Sequence, residues 1–319
     1  MSKASTARLP EIRLKVEKRN FHPWIFRKML ERPPEDGARN GDAVRVYDRR
    51  GAFIGRGFYN GNSQIGVRML DWGGEAEPFD FAFWRDRIAR AVRIRRELLN
   101  LEDATNAYRA VNSEGDQLSG LVVDIYNDRA SVEVMSLGVW KQRQWVEQSL
   151  RELFELKGVH FRADERIQQL EGFTDRYDNT PVETEINENG VRFKVNVTGG
   201  HKTGFFLDQR DNRRALAEVS GGKRLLDVCC YTGGFGIAAR VLGNAKESTG
   251  IDLDERAIAA AEANARLNGL AGPKAGIRFI HANAFHFLKE ERAAADLWDV
   301  LVLDPAKLAP TRESLDEAM

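Results

Sequence analysis

Strands and helices alternate along the last third of the sequence. Strands are predicted at 224–228, 248–252, 277–281 and 298–303, and helices at 210–219, 234–242, 255–268 and 284–291. This alternation requires a parallel sheet, because a chain that re-enters a sheet in the same direction must cross over it, normally through a helix. The prediction is therefore an open, Rossmann-like α/β sheet, of which this sequence supplies the first four strands.

A glycine-rich loop follows the first of these strands. Residues 225–236 read Leu-Leu-Asp-Val-Cys-Cys-Tyr-Thr-Gly-Gly-Phe-Gly, so that the strand carries Asp227 near its end and the loop carries Gly233 and Gly234. At the carboxyl end of a parallel strand such a loop lets the backbone approach a ligand closely. The spacing is neither that of a dinucleotide site nor that of a P-loop, which leaves S-adenosylmethionine as the remaining common ligand.

Two polar residues after the next strands fit a nucleoside. Asp252 ends the second strand, where a carboxylate accepts hydrogen bonds from ribose hydroxyls; the alternative is an ordinary helix N-cap. Asn283 follows the third strand and could face an adenine edge, although Asn also caps helices.

The fourth strand ends in Asp304-Pro305-Ala306-Lys307, which should face the methyl donor at the crevice of the sheet. Asp304 and Lys307 are the predicted catalytic residues of this chain. Lys307 stands where enzymes that methylate exocyclic amines usually carry an aromatic residue, so amine methylation is disfavoured. Residues 202–210 precede the first strand and could fold over the cofactor, with Gln209 or Arg210 near its carboxylate. The alternative is a simple helix lead-in with Asp208 as N-cap.

The N-terminal part of the chain predicts two further domains. Residues 1–76 read as a small all-β unit with strands at 43–47, 53–58 and 64–69, and 75–78 reads as a linker. Residues 77–190 read as an α+β unit that opens with a helix at 79–100 and closes with a hairpin over Asn189-Gly190. The third predicted domain is 191–319.

Positive charge is concentrated at the N-terminus. Residues 1–76 hold 15 Lys and Arg against 9 Asp and Glu, while the whole chain is neutral. Aromatic and basic residues alternate there, and together they can stack bases and neutralise phosphates. The candidate RNA-binding residues are Arg19, His22, Trp24, Arg27 and Lys28. The alternative for Trp24 is a place in the lid of a small core.

The only two cysteines, Cys229 and Cys230, are adjacent, so no disulfide framework is predicted and a reducing cytoplasm is expected. No apolar run approaches membrane-spanning length, and no metal site is predicted.

The motifs Lys-Thr-Gly-Phe-Phe-Leu-Asp-Gln-Arg, Tyr-Thr-Gly-Gly-Phe and Asp-Pro-Ala-Lys, in this order, resemble the PUA-domain family of large-subunit ribosomal RNA cytosine-5 methyltransferases. Residues 16–26 resemble the family's PUA domain, and 111–121 its central domain. The resemblance implies a class I methyltransferase fold, S-adenosylmethionine as cofactor and ribosomal RNA as substrate. The implied cofactor pocket contains Phe206, Asp208, Gln209, Arg210, Asp227, Tyr231, Thr232, Gly233, Gly234, Asp252, Asn283, Ala284 and Asp304.

The sequence departs from the family in two ways. Ala306 replaces a usual proline, and the family's nucleophilic cysteine lies beyond the position of Met319. Carbon 5 of cytosine needs a thiolate that adds at carbon 6, and Cys229 and Cys230 are poorly placed for this because they should line the cofactor. The sequence is therefore expected to be a fragment of a longer protein.

Two alternatives remain open from the sequence. One is a non-catalytic RNA-binding fragment, and the other is the same fold acting on a different base, such as guanine. The oligomeric state is also open, with a homodimer as one option.

Overall fold

The computed structural model describes residues 9–17, 21–31, 37–73, 79–174, 180–198, 205–294 and 298–305. The predicted linker at 75–78, the start of the predicted cofactor segment at 202–204, and the residues Arg19 and Lys307 lie outside these ranges. The chain forms two compact units. The first contains Met1–Asp103, Tyr108–Val182 and Val197–Gly199, and the second contains Ala104–Ala107, Glu183–Asn196 and Gly200–Met319.

The first unit begins with a five-stranded sheet. Its strands are β1 (Glu11–Arg13), β2 (Trp24–Phe26), β3 (Ala43–Tyr47), β4 (Phe53–Tyr59) and β5 (Ile65–Trp72), in the order β1-β3-β4-β5-β2. The three strands predicted in this region are confirmed as β3, β4 and β5. Their alternation places Val44, Val46, Val67 and Met69 in a buried core on one face.

The remainder of this unit packs against that sheet. Helix α1 (Phe81–Arg93) starts at Asp80, whose side chain accepts a hydrogen bond from the Phe83 amide. It is followed by the strands β6 (Ala107–Asn112), β7 (Leu121–Tyr126), β8 (Arg129–Val134) and β9 (Gly158–Arg162) in sequential order, and by the helices α2 (Leu137–Lys141), α3 (Arg143–Leu153) and α4 (Glu165–Glu171). Phe58 and Leu70 share one buried cluster with Trp84 and Ile88, so the β-sheet and α1 are parts of one core.

The second unit contains the predicted parallel sheet. Its strands are β12 (Arg224–Val228), β13 (Glu247–Asp252), β14 (Ile277–His281) and β15 (Val300–Leu303), in the order β14-β13-β12-β15. All three pairings are parallel, as predicted from the alternation. The connecting helices are α5 (Arg210–Glu218), α6 (Gly234–Val241), α7 (Glu255–Leu267) and α8 (Ala284–Ala294).

A hairpin of β10 (Glu183–Glu188) and β11 (Val191–Asn196) belongs to the second unit. The turn between the strands has positive φ at both Asn189 and Gly190, which is the geometry that the Asn-Gly pair predicts. Asn264 on α7 accepts a hydrogen bond from the Lys194 amide at 2.9 Å. The boundary at residue 190 that the sequence predicts therefore runs between two paired strands, while the three-domain division remains a prediction.

Candidate active site

Three carboxylates stand at the carboxyl ends of three neighbouring strands. Asp227 is the penultimate residue of β12, Asp252 is the last residue of β13, and Asp304 directly follows β15. Because the three strands are adjacent and parallel, these ends lie at the same edge of the sheet. The sequence-predicted acids are thus brought together at the crevice where open α/β sheets bind their ligands.

Asp227 is almost completely buried, with 1% of its surface exposed. Among the described residues neither of its carboxylate oxygens has a hydrogen-bond partner of acceptable geometry. Burial raises the pKa of Asp227 to about 7; the negative charges of Asp252 and Asp304 add to the shift, and the backbone N–H of Gly236 and the Arg213 charge oppose it. The site therefore contains a buried carboxyl group whose charged form is only partly stabilised by its surroundings.

Asp252 organises the glycine-rich loop. Its Oδ2 accepts a hydrogen bond from the Tyr231 backbone N–H at 2.8 Å, and its Oδ1 accepts one from the Asp254 N–H at 2.9 Å. The N-cap of α7 is Asp254, whose side chain accepts from the Arg256 amide. The alternative interpretation of Asp252 as the helix cap is therefore wrong, because that position is filled two residues later.

The loop between β12 and α6 has an unusual backbone. Cys229 and Tyr231 adopt positive φ values of 63° and 49°, which non-glycine residues rarely do, and Gly233 has φ of 79°. A Cβ atom on Gly233 would lie 2.8 Å from the Phe279 ring and 3.0 Å from the Ala261 Cβ. Packing within the protein thus requires this glycine, a reason that the sequence did not reveal.

The other two predicted loop residues lie in the same turn. The Thr232 carbonyl accepts a hydrogen bond from the Asn264 side-chain amide at 3.2 Å. Gly234 begins α6, and a Cβ there would lie 3.1 Å from the Arg213 Cδ. One continuous turn thus contains the predicted residues Tyr231, Thr232, Gly233 and Gly234. It is hydrogen-bonded to α7 through Thr232, and it packs closely against Arg213 of α5 at Gly234.

The predicted cofactor segment meets both the loop and the acids. The rings of Phe206 and Tyr231 are in edge contact, with centroids 5.4 Å apart. Gln209 donates a hydrogen bond from Nε2 to the Asp304 Oδ2 at 3.3 Å, and its Oε1 accepts one from Asn212 at 2.6 Å. Phe206 and Gln209 therefore lie at the candidate site, as the sequence predicts.

Asp208 and Arg210 are less closely connected with the acids. Asp208 is exposed, and the Arg210 guanidinium is hydrogen-bonded to the neighbouring Asp211. The N-cap position of α5 is Gln209, which makes no side-chain cap hydrogen bond, so Asp208 is not the helix cap that the alternative interpretation expects. Their assignment to the cofactor pocket remains a prediction.

A buried ion pair that the sequence analysis missed supports this segment. Arg213 donates from Nε and Nη2 to the two carboxylate oxygens of Glu188, at 2.6 Å each. Its Nη2 also donates to the Phe206 carbonyl at 3.1 Å, and its guanidinium lies 4.6 Å from the centre of the Phe205 ring. No local sequence motif marks this pair, because its members belong to a hairpin strand and a helix.

Asn283 acts as a helix cap. Its Oδ1 accepts hydrogen bonds from the amides of Phe285, at 3.0 Å, and His286, at 3.3 Å. The capping alternative is therefore observed. Because the cap occupies Oδ1, only the amide nitrogen of Asn283 is left to contact a nucleoside. Ala284 is the first residue of α8, beside this cap at the end of β14.

The two thiols lie close to the carboxylates. Cys230 is buried and Cys229 is half-buried. Burial raises the pKa of both thiols, and the neighbouring negative charges of Asp227 and Asp252 raise it further. Both cysteines are therefore poor sources of thiolate at neutral pH.

Four of the predicted RNA-binding residues, His22, Trp24, Arg27 and Lys28, are described by the structure and lie in and beside β2 in the first unit. Trp24 is half-buried, and its indole N–H donates to the Glu114 Oε1 at 2.7 Å. His22, Arg27 and Lys28 are exposed. The Arg27 guanidinium donates to the Gly61 carbonyl at 3.0 Å. RNA contact by these residues remains a prediction.

Within the described ranges no group of three or more His, Cys, Asp and Glu is arranged to hold a metal ion. None of the helices in those ranges combines the length and apolar character needed to cross a bilayer.

Comparisons with known proteins match two segments of the chain to known families. Residues 16–72 match the family described as PUA-like domain, and residues 142–313 match the family described as S-adenosylmethionine-dependent methyltransferase. The second match covers more than half of the chain. The methyltransferase fold and the PUA-like N-terminal domain are thus confirmed.

Several curated relatives are named ribosomal RNA large subunit methyltransferase I. The one from Aeromonas hydrophila is 39% identical over 300 residues, covering 92% of this chain and 74% of the relative. The one from Photobacterium profundum is 33% identical, covering 93% and 75%. A solved methyltransferase from Streptococcus mutans is 19% identical with a TM-score of 0.73, covering 97% of this chain and 82% of that one, which supports the fold.

Proposed function

This chain belongs to the family of S-adenosylmethionine-dependent methyltransferases that includes the ribosomal RNA large subunit methyltransferases I, and we propose that it methylates a cytosine of large-subunit ribosomal RNA. The family membership makes S-adenosylmethionine the cofactor. The substrate and the base are part of the proposal. The observation that carries it is the cluster of Asp227, Asp252 and Asp304 at the ends of three adjacent parallel strands.

The charge of this cluster fits the cofactor. Three carboxylates at one edge repel each other, and the buried Asp227 already titrates near pH 7. A ligand with positive charge relieves this repulsion, whereas the phosphates of a dinucleotide or a nucleoside triphosphate would increase it. S-adenosylmethionine carries a sulfonium and an ammonium group, and when bound it supplies an electrophilic methyl group.

Asp252 is the residue proposed to hold the ribose. Its carboxylate is fixed by two backbone N–H groups, from Tyr231 and Asp254, which leaves further acceptor positions on the two oxygens. The amide nitrogen of Asn283 would face the adenine, and the rings of Phe206 and Tyr231 would cover the nucleoside. Gln209 would hold Asp304 in place through its hydrogen bond.

Asp304 is the residue proposed to orient the target base. It is exposed at the end of β15, and it accepts a hydrogen bond from Gln209, so an exocyclic amine of a flipped cytosine could donate to its carboxylate. Lys307 lies outside the described residues, and its catalytic role remains a prediction from the sequence.

Methylation at carbon 5 also requires a nucleophile. A thiolate adds to carbon 6, carbon 5 takes the methyl group, a base removes the carbon 5 proton, and the carbon 6–sulfur bond then breaks. The raised pKa values of Cys229 and Cys230 argue against both of them in this role. The cytosine-5 reaction is therefore proposed only together with a cysteine that this sequence does not contain, as the family resemblance implies.

A trapping experiment tests the proposal. The protein, expressed from its complete gene, is incubated with methyl-labelled S-adenosylmethionine and large-subunit ribosomal RNA, with and without 5-fluorocytosine in the RNA. Label in cytosine and a covalent protein–RNA adduct with the fluorinated RNA are the expected results. Label in guanine without an adduct would favour the other base, and RNA binding without any label would favour a non-catalytic role.

A further inference from the structure

We propose that an open cavity in the first unit binds an unpaired guanine of the RNA substrate. The cavity measures about 510 Å³ and lies between the end of β5, the residues before β2, and the turn at 113–117. Ligand sites commonly have volumes of roughly 300–1,000 Å³. The inference rests on the proposed function, because it takes RNA as the substrate.

One wall of the cavity offers a surface for stacking. Phe21 is 78% exposed, and its ring is in edge contact with Trp72, with centroids 5.4 Å apart and planes at 87°. Pro23 also lines this wall. Exposure of so large an apolar side chain next to a cavity leaves ring surface available to a flat ligand, and nucleobases stack on aromatic side chains regardless of their sequence.

A negatively charged acceptor lines another side. The Glu114 Oε1 accepts hydrogen bonds from the Trp24 indole N–H at 2.7 Å and from the Ser119 hydroxyl at 2.8 Å. Desolvation opposes ionisation of this carboxyl, but hydrogen bonds from Ser113, Trp24 and Ser119 outweigh it and lower its pKa. Glu114 is thus held in place as a carboxylate, which can accept further hydrogen bonds.

A donor is positioned beside it. Gln117 is exposed and adopts a positive φ of 60°, and its Oε1 accepts a hydrogen bond from the Arg87 Nη1 at 2.7 Å. This contact uses the amide oxygen and leaves the amide N–H groups to donate. Arg87 is itself paired with Asp71 at 2.8 Å, so these two charges offset each other.

These groups match guanine better than the other bases. Guanine presents two adjacent N–H donors, on N1 and N2, beside the O6 acceptor, so a carboxylate and an amide N–H together satisfy that edge. Adenine and cytosine present one amino group next to a ring acceptor, and uracil places acceptors on both sides of its single N–H. A carboxylate would repel these acceptors.

The surroundings favour RNA over a free nucleotide. Strand β2 continues from the cavity to the exposed Arg27 and Lys28, and residues 1–76 carry an excess of six positive charges from their 15 basic and 9 acidic residues. A basic surface beside a base pocket suits a chain of phosphates.

The test compares hairpin RNAs that differ only in one unpaired loop base: guanine, inosine, which lacks the N2 amino group, or adenine. The wild-type chain should bind the guanine hairpin about tenfold more tightly than the other two. Phe21→Ala should weaken binding of all three hairpins about tenfold. Glu114→Gln should abolish the preference for guanine over inosine.

Gln117→Asn provides a second variant, because asparagine tolerates the positive φ and the site is exposed, so that the fold is preserved. It should weaken guanine binding several-fold. The control is Leu98→Ala, which changes a side chain that is 74% exposed and does not line the cavity. Binding of S-adenosylhomocysteine is measured for every variant and should equal that of the wild type.

Two results would overturn the inference and leave the proposed function intact. One is equal affinity of the wild-type chain for all three hairpins, and the other is unchanged RNA affinity in Phe21→Ala and Gln117→Asn. Guanosine monophosphate that binds as tightly as the guanine hairpin would show a nucleotide site instead. A wild-type chain that binds S-adenosylhomocysteine but no RNA would remove the proposed substrate as well.

Discussion

Arg213 and Glu188 form a bidentate ion pair in which both side chains are only 4% exposed. The pair joins helix α5 to strand β10, and Arg213 also donates to the Phe206 carbonyl, next to the candidate cofactor site. Two residues 25 positions apart therefore fix the segment that carries Phe206 and Gln209.

We expect Arg213→Met to lower the free energy of unfolding by about 3–5 kcal/mol, because it leaves the Glu188 charge buried and unpaired. The double variant Arg213→Met, Glu188→Met should recover part of that loss, since it removes both charges. Chemical denaturation measures both effects. The matched control is Arg192→Met, which breaks an exposed pair with Glu185 on the same hairpin and should leave stability nearly unchanged. Equal losses at Arg213 and Arg192 would contradict the account.

Substitution of Gly233 tests why the loop requires glycine at this position. We expect Gly233→Ala to cost about 2–4 kcal/mol, from left-handed backbone strain and from collision with Phe279 and Ala261. Gly222→Ala is the control, because Gly222 has a similar φ of 70° and no atom within 4 Å of the added Cβ. It should cost only about 1–2 kcal/mol. Thermal unfolding of the two variants gives the comparison, and equal losses would mean that packing does not require Gly233.

Asp227 should make stability depend on pH. Its carboxyl titrates near 3.8 when unfolded and near 7 when folded, so between these values the folded state binds more protons. The contribution of this carboxyl to the free energy of unfolding is therefore greatest below pH 4, and it is lost as the pH rises to about 7.

The measurement is the unfolding free energy of wild type and Asp227→Asn from pH 4 to 8. The variant should gain stability relative to wild type by roughly 2–4 kcal/mol across that range. Asp211→Asn, at a position 80% exposed, is the control and should show no such trend. A constant difference between wild type and Asp227→Asn would show that the Asp227 carboxyl is not perturbed.

The regular elements could be predicted because their signals are local. The alternation of strands and helices gave the parallel sheet, and Asn189-Gly190 gave the hairpin turn. Leu99 shows where a local pattern misleads. Helical spacing predicts it to face inward with Val92, but the helix widens into a π-turn at Ile94–Leu98, which rotates the following residues, and Leu99 is 58% exposed.

The part of the candidate site that lies at strand ends could be predicted from the sequence. Asp227, Asp252 and Asp304 could be located because each stands at or directly after the carboxyl end of a predicted strand. Their support could not, because the Arg213–Glu188 pair and the contact between Gly233 and Phe279 join segments that are distant in sequence. A pattern in one segment carries no information on which partner faces it.

We propose that Asp252 holds the nucleoside of S-adenosylmethionine at the end of β13. Isothermal titration with S-adenosylhomocysteine tests it most directly, with Asp254→Ala as the control because Asp254 is the nearby helix cap. We expect wild type and Asp254→Ala to bind with similar affinity, and Asp252→Ala to bind at least roughly tenfold more weakly through loss of hydrogen bonds to a charged group. Binding by Asp252→Ala at the affinity of the wild type would contradict the account.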